Sequence, residues 1–555
     1  MVSTPKSREA LLTELVAVPS VTASRRENEA ADFVYKRLGE LDYFKRNPSF
    51  LRMIPTPLEG DSRPLFSVAA RVMAANPTKK TVVFIAHHDV VDTDAYGDLA
   101  EWAFNPSELA KRLDPNELAP RARDDLLSGG FIFGRGVMDM KCGLALEMEL
   151  LSDYCEAPDL FGVNLLMLSV PDEENTNCGM RGAAKYLAAL KREEGLDYIA
   201  GIDTEPSDPG LPDAKNQLIF LGGMGKMLPA FYCAGLEAHV GNYYRGLSAA
   251  LLASHVVREA EGAPELADPH RGGCQPSWIC LCSKTLTEGY SVTVPGRAVA
   301  YFNAFVTTKT PAALMEEMRT IALRAIDEAR GQLARSHRAI SEMGYEPPMR
   351  DHADARVLSF GEIFDMAADL REGGAESLAA HVRDFLRALP EGDMRDRGVA
   401  VLEELIRLAE VPAPFVAVGF LPPYLPAITS VSDRPAARAA VRAAERTAAF
   451  AEERCGARVD IVEFFAGLCD LSYLGFSGGR GDLEPIAKNC PGWGELYSIP
   501  TEDLLEIDMP VINMGPCGYD AHRKTERLEK RYSLEILPKL LVFLVRALSE
   551  EHGIG

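Results

Sequence analysis

Two short, dominantly apolar runs, Thr81-Val82-Val83-Phe84-Ile85-Ala86 and Asn164-Leu165-Leu166-Met167-Leu168-Ser169-Val170, constrain the fold more than any other feature. Runs this short, without alternation of polar residues, fit strands buried on both faces better than helices. Helical spacing fills 143–154 between them and 182–192 after them, so strand, loop and helix alternate. That order predicts an α/β sheet, whose ligands sit beyond the carboxyl ends of its strands. Charged clusters stand at those ends: His87-His88-Asp89 closes the first run and Pro171-Asp172-Glu173-Glu174 the second.

With 555 residues the chain exceeds what one ordinary core organises, which predicts two domains with one inserted into the other. Helical spacing over 7–40, broken by Pro19-Ser20-Val21-Thr22, predicts two helices at the start. A Pro/Gly/Asp-rich connector, Pro206-Ser207-Asp208-Pro209-Gly210-Leu211-Pro212, marks a boundary. After it come predicted strands over 227–233, 290–294 and 298–306 and helices over 247–261 and 312–332, a compact α+β unit. The region 345–460 reads as helix-rich, a strand follows over 509–514, and an amphipathic helix covers 533–548. The expected division is a larger domain of 1–214 and 336–555, with 345–460 as a helix-rich insertion, around an inserted unit of 215–335.

The formal net charge of -22, from 59 basic and 81 acidic residues, disfavours nucleic acid and anionic lipid surfaces as partners. No stretch approaches the roughly 20 apolar residues that span a bilayer, and the start of the chain lacks the apolar core of a signal peptide. Eleven cysteines without a Cys-x-x-Cys spacing read as free thiols in a reducing compartment. These features together predict a cytoplasmic protein.

Chemistry enters through five modest signals in one order. A histidine at a strand end can bind a metal through one ring nitrogen while a carboxylate two residues on fixes the other; His87 with Asp89 has that spacing, and His88 is the alternative. Asp139 lies in Phe133-Gly134-Arg135-Gly136-Val137-Met138-Asp139-Met140-Lys141-Cys142-Gly143, where glycines let the backbone bend around a carboxylate able to bridge two cations. The adjacent Glu173 and Glu174 must diverge, so one can bind metal while its neighbour faces an attacking water as a general base. Gly201-Ile202-Asp203-Thr204-Glu205-Pro206 adds a carboxylate, either Asp203 or Glu205. A second histidine, His522, stands in Gly518-Tyr519-Asp520-Ala521-His522. Imidazole and carboxylate donors of this kind suit a pair of divalent cations.

With these motifs in sequence, the chain resembles the dizinc amidohydrolases and peptidases that include aminoacylases, bacterial glutamate carboxypeptidase and succinyl-diaminopimelate desuccinylase. Its length and the Asp520-Ala521-His522 and Thr525-Glu526-Arg527 motifs look most like the arginine-utilisation (RocB-type) branch. The resemblance implies that the larger domain is a zinc-exopeptidase-like catalytic domain with a mixed central sheet, and the inserted unit a ferredoxin-like α+β lid. It implies two Zn2+ ions, with Co2+ or Mn2+ as substitutes. His87 and Glu205 would hold one ion, Glu174 and His522 the other, and Asp139 would bridge. Asp89 would orient His87, and Glu173 would be the general acid/base for hydrolysis of an amide in a small acylated amino acid or dipeptide-like molecule, in amino-acid catabolism. His239, in Gly235-Leu236-Glu237-Ala238-His239-Val240-Gly241, matches a lid histidine that stabilises the oxyanion, often in the neighbouring subunit, so a homodimer through the lid is expected.

Two positions depart from the family pattern. Ala300-Tyr301-Phe302-Asn303-Ala304-Phe305 places Phe305 where a carboxylate-binding arginine is expected, and Ser248 stands where an asparagine is usual. Loss of a bidentate guanidinium removes directional recognition of a carboxylate; Arg245 and Arg297 are the candidate replacements. A non-catalytic metal-containing binding or regulatory protein on the same fold is the alternative reading, although all five ligands and Glu173 are retained. A dinucleotide enzyme is disfavoured because Gly134-Arg135-Gly136 lacks the remaining fingerprint glycine.

Overall fold

A computed structural model of the chain describes residues 4–56, 64–207, 217–270, 273–287, 289–465 and 467–554. The connector expected at 206–212 falls mostly outside these residues. Both apolar runs are central strands: Lys80–His87 pairs in parallel with Asn164–Val170 on one side and with Asp197–Asp203 on the other. They belong to a mixed eight-stranded sheet in the order Leu51–Thr56, Leu65–Val72, Asn164–Val170, Lys80–His87, Asp197–Asp203, Val511–Asn513, Gln217–Phe220, Val459–Val462.

Alternate side chains of the Lys80–His87 strand explain its uniform apolarity. Val82, Phe84 and Ala86 pack with helices Pro5–Val16, Lys141–Glu156 and Leu537–Glu551, while Val83 and Ile85 pack against helix Cys178–Glu194 on the other face. Neither face meets water, so no polar alternation is needed. The two expected N-terminal helices form as Pro5–Val16 and Glu27–Gly39; Thr4 caps the first through its hydroxyl, with Pro5 at the first helical position.

The second sheet has five strands, in the order Ile279–Thr285, Arg297–Val306, Gly225–Ala234, Phe415–Leu425, Arg356–Ser359. Helices Ala249–Ala260 and Pro311–Glu342 cover one face, where Met227, Phe231 and Cys233 point. Leu228, Ala230, Tyr232 and Ala234, the alternate residues of the same strand, pack under helices Phe360–Asp369, Gly374–Ala388 and Met394–Leu408. The lid sheet is therefore covered on both sides.

Three expectations need correction. The strand expected over 290–294 is absent, apart from one isolated bridge between Thr293 and His239; the edge is made instead by Ile279–Thr285, whose side chains are mostly exposed or half-buried. The lid sheet also draws Arg356–Ser359 and Phe415–Leu425 from the stretch assigned to a helix-rich insertion in the catalytic domain. Local periodicity revealed the helices there, but the strands are specified by distant partners, Phe415 pairing with Ala234 and Arg356 with Phe415. Finally, Gln217–Phe220, placed at the start of the lid, is a strand of the catalytic sheet, and the crossing into the lid follows it.

Candidate metal centre

His87 is the last residue of its strand, in register with Val170 of the neighbouring strand, so the two apolar runs deliver the histidine and the acidic loop to one edge of the sheet. His87 is fully buried. Its Nε2 lies 3.2 Å from Glu205 Oε1, 3.3 Å from Asp139 Oδ1 and 4.0 Å from Glu173 Oε2. Its Nδ1 lies 3.0 Å from the Asp89 carbonyl oxygen and 3.5 Å from the Asp89 carboxylate. The ring is thus held more closely by the backbone of Asp89 than by the carboxylate that sequence reasoning assigned to it.

The Asp89 carboxylate has a second set of partners: it accepts from the backbone N–H groups of Glu173 and Glu174, at 3.2 and 3.3 Å, and from the Thr22 hydroxyl at 2.8 Å. One buried aspartate therefore fixes both the histidine strand end and the glutamate loop. Asp172, whose φ of 64° turns that loop, accepts from the Thr176 hydroxyl and from the backbone of Thr176 and Cys178. Its role is to shape the turn.

On the other side, His522 Nε2 lies 3.0 Å from Glu174 Oε1 and 3.2 Å from Asp139 Oδ2. The two oxygens of Asp139 thus address two different imidazoles. Burial pushes the Asp139 carboxyl up, but the imidazoles of His522 and His87 more than offset this and hold it below the ordinary carboxylate range. The contacts with Asp139 and Glu174 raise His522 to about 10. Burial raises Glu173 well above its usual value, raises Glu174, and raises Glu205 to about 8. Without cations, this cluster keeps its charge tolerable by holding protons.

The donor set fits divalent cations. Two groups, His87 with Asp139 and Glu174, and His87 with Glu173 and Glu205, place one ligand atom per residue within 4.8 Å of one another. The buried His87 Nε2 has no hydrogen-bond partner although carboxylate oxygens surround it. Nitrogen and oxygen donors of this kind suit zinc and its first-row neighbours.

The remaining candidates lie elsewhere. His88 is buried with Nδ1 2.9 Å from the Ser169 hydroxyl, and burial lowers it to about 3. Asp203 is buried and accepts from the Glu205 backbone N–H, supporting Glu205 from behind. His239 is exposed in the lid, accepts from the Gly241 N–H, and is not among the residues lining the cavity over the metal ligands. Ser248 caps helix Ala249–Ala260. Arg297 is paired with Glu403 at 2.8 Å, Arg245 is exposed, and neither lines the cavity.

Three residues of the site were not singled out by sequence reasoning. Asp470 accepts from Asn177, and burial raises it to about 7; it closes the run Phe464-Phe465-Ala466-Gly467-Leu468-Cys469, a signal that could have found it. Glu526 accepts from the N–H groups of Met138 and Asp139, both at 3.4 Å, and pairs with Arg135 at 2.5 Å. It thereby clamps the Asp139 loop to the segment carrying His522. Lys226, at the start of a lid strand, lines the cavity.

The model of Peptidase family M20/M25/M40 matches residues 83–478. The chain belongs to that family. It is accordingly a metal-dependent hydrolase with an M20-type α/β fold. It is 33% identical over 544 residues to the uncharacterized protein YqjN of Bacillus subtilis (strain 168), covering 98% of this chain and 96% of that one. It is 29% identical over 541 residues to Protein RocB of the same organism, covering 96% and 93%. Among solved structures, a tripeptidase from Staphylococcus aureus superposes with a TM-score of 0.51 at 13% identity, covering 99% of both chains, which supports the shared fold. Among the described residues, no helix is long and apolar enough to cross a membrane.

Proposed function

We propose that this chain hydrolyses the amide bond of a small acylated amino acid or dipeptide-like molecule, using two zinc ions held by His87, Glu205, Glu174 and His522 with Asp139 between them. The observation that carries the reading is the placement of the Asp139 oxygens, one toward His87 and one toward His522, beside a Glu173 that stands slightly farther off. Bound there, divalent ions supply Lewis acidity toward a carbonyl oxygen and make a nearby water more acidic.

The protein's own groups do the rest. Glu173, raised well above its usual range by burial, is suited both to take a proton from the attacking water and to return it to the leaving nitrogen. Asp89 keeps Glu173 and Glu174 in place through their backbone N–H groups. Asp203 and Asp470 are further buried carboxyls, Asp203 accepting from the Glu205 N–H and Asp470 from Asn177, which lines the cavity.

The test is metal analysis together with mass detection of products from a panel of N-acyl amino acids and dipeptides. Glu173→Ala is expected to keep its metal and lose turnover roughly 10²- to 10⁴-fold; near-normal turnover would remove Glu173 from the mechanism. A protein that binds metal and releases no amine from any amide would instead support the non-catalytic binding reading.

Likeness to RocB supports a use in amino-acid catabolism within the arginine-utilisation branch; a deletion strain that grows normally on arginine as nitrogen source would argue against it. Eleven free cysteines support a reducing, cytoplasmic setting. A homodimer through the lid fits the unpaired edge strand Ile279–Thr285, where Ile279 and Leu281 are exposed, and the exposed Val240 and Val292 beside His239. In sedimentation, Leu281→Lys should shift the dimer toward monomer; a wild-type protein that sediments as a monomer would refute the interface.

A further inference from the structure

Resting on the hydrolase reading, we propose that Lys226 anchors an anionic group of the substrate, and that the substrate class is an amide bearing one carboxylate and an apolar, ring-sized substituent. The cavity above the metal ligands has a volume of 860 Å3, within the range of small-molecule sites. Its floor is Asp139, Glu173, Glu174, Glu205 and His522. Its wall is apolar, with Phe220, Phe305, Phe464, Phe465 and Leu425 prominent.

Lys226 is the one lysine or arginine among the described residues lining this space. Strand register puts it directly across from Phe305 on one side and from Leu425 on the other, so the three side chains form a row on one sheet face. Farther along the strand that face is covered by the helices Phe360–Asp369, Gly374–Ala388 and Met394–Leu408, over Leu228, Ala230 and Tyr232. At Lys226 the cover ends and the face opens onto the cavity. The ammonium is half-buried and makes no side-chain hydrogen bond or ion pair with any described residue.

A half-buried cation with no hydrogen bond or ion pair of its own, attracted by the Glu173 carboxyl but repelled more strongly by Arg395, is unfavourable and calls for an anion. Of the acids facing the cavity, Asp139, Glu174 and Glu205 contact the imidazoles, Asp460 has an interaction of its own, and Glu173 attracts Lys226 only at longer range, without a hydrogen bond or ion pair. A ligand carboxylate is the missing partner, and the aromatic wall beside it accommodates an apolar group without hydrogen-bonding capacity. Recognition is by a point charge, because an ammonium lacks the forked geometry of a guanidinium.

The experiment compares N-benzoylalanine, N-benzoylalaninamide and N-acetylalanine. With the zinc-loaded wild type, kcat/KM for N-benzoylalanine should exceed that for either of the others by roughly tenfold or more. Lys226→Met should abolish the preference for acid over carboxamide while keeping that for benzoyl over acetyl, and Lys226→Arg should retain much of both. Independently of turnover, calorimetric Kd for N-benzoylalanine on zinc-loaded Glu173→Gln should weaken roughly 10- to 100-fold when Lys226→Met is added. An unchanged Kd and acid preference in Lys226→Met, or no binding to the Glu173→Gln protein, overturns the proposal. Failure of the wild type to cleave any amide overturns the hydrolase reading instead, and the calorimetric arm then decides the role of Lys226 alone.

Discussion

Removing the Glu526 carboxylate should cost both stability and metal affinity, because it joins segments nearly 400 residues apart in sequence. Glu526 and Arg135 are 0% and 1% exposed and meet at 2.5 Å, and Arg135 Nη2 already lacks a partner. Burial is the largest influence on Glu526 and holds it at about 7 even though Arg135 pulls it down, so the pair is best tested at pH 8, where both groups are charged. Glu526→Ala strands the guanidinium in the interior, a loss of about 3–5 kcal/mol for a buried pair broken on one side. Arg135→Met with Glu526→Leu removes both charges and should be less harmful than Glu526→Ala, giving a coupling of at least about 1 kcal/mol in a double-mutant cycle from urea unfolding. Because Glu526 also accepts from the Met138 and Asp139 N–H groups, Glu526→Ala should weaken zinc binding roughly 10- to 100-fold, with partial rescue by Glu526→Gln, which keeps an acceptor oxygen. Wild-type unfolding midpoints and wild-type zinc affinity in Glu526→Ala would refute the reasoning.

Other expectations follow from the same geometry. Asp139→Asn, which keeps shape but removes the charge shared between His87 and His522, should lower zinc content from two ions to one or none per chain by atomic absorption; two tightly held ions in that variant would exclude bridging. The metal-free protein should lose stability as pH rises: Asp470, Glu205 and His522, raised to about 7, 8 and 10, hold protons in the folded chain that the unfolded chain has released. Their contribution is present near pH 4 to 5 and is lost progressively toward pH 10. Zinc, which needs deprotonated ligands, should flatten or reverse that trend, so urea midpoints of chelator-treated protein that rise from pH 5.5 to 8.5 would contradict the assignment.

How much of this was legible depended on whether a signal was local. The runs at 81–86 and 164–170 carried their burial in their own composition, and the residues just beyond them, His87, Glu173 and Glu174, converge with Asp139, Glu205 and His522 in the structure. Ordered motifs sufficed because a parallel sheet delivers successive strand ends to one edge. The edge strand Ile279–Thr285 was missed because exposed side chains give no burial pattern. The run at 290–294 misled because β-branched residues favour extended backbone whether or not a partner strand is within reach. Glu526 and Lys226 are visible only once distant segments meet: one depends on Arg135, the other on Phe305 across a strand pair.

Part of the 345–460 region completes the lid and borders the site. Phe415–Leu425 lies between Gly225–Ala234 and Arg356–Ser359, and its end supplies Pro423 and Leu425 to the cavity wall. Its alternate residues Phe415 and Ala417 face the helices of the same region, whereas Val416, Val418 and Phe420 face the core shared with Pro311–Glu342. A strand apolar on both faces in the middle of a sheet cannot be removed without opening two cores. The helical layer is different in kind: it covers one face, and without it Leu228, Ala230, Tyr232 and Ala234 would be left to water. The position of Lys226 is therefore tied to that layer, because whatever shifts the covered part of the strand shifts Lys226, which the same strand carries two residues before Leu228.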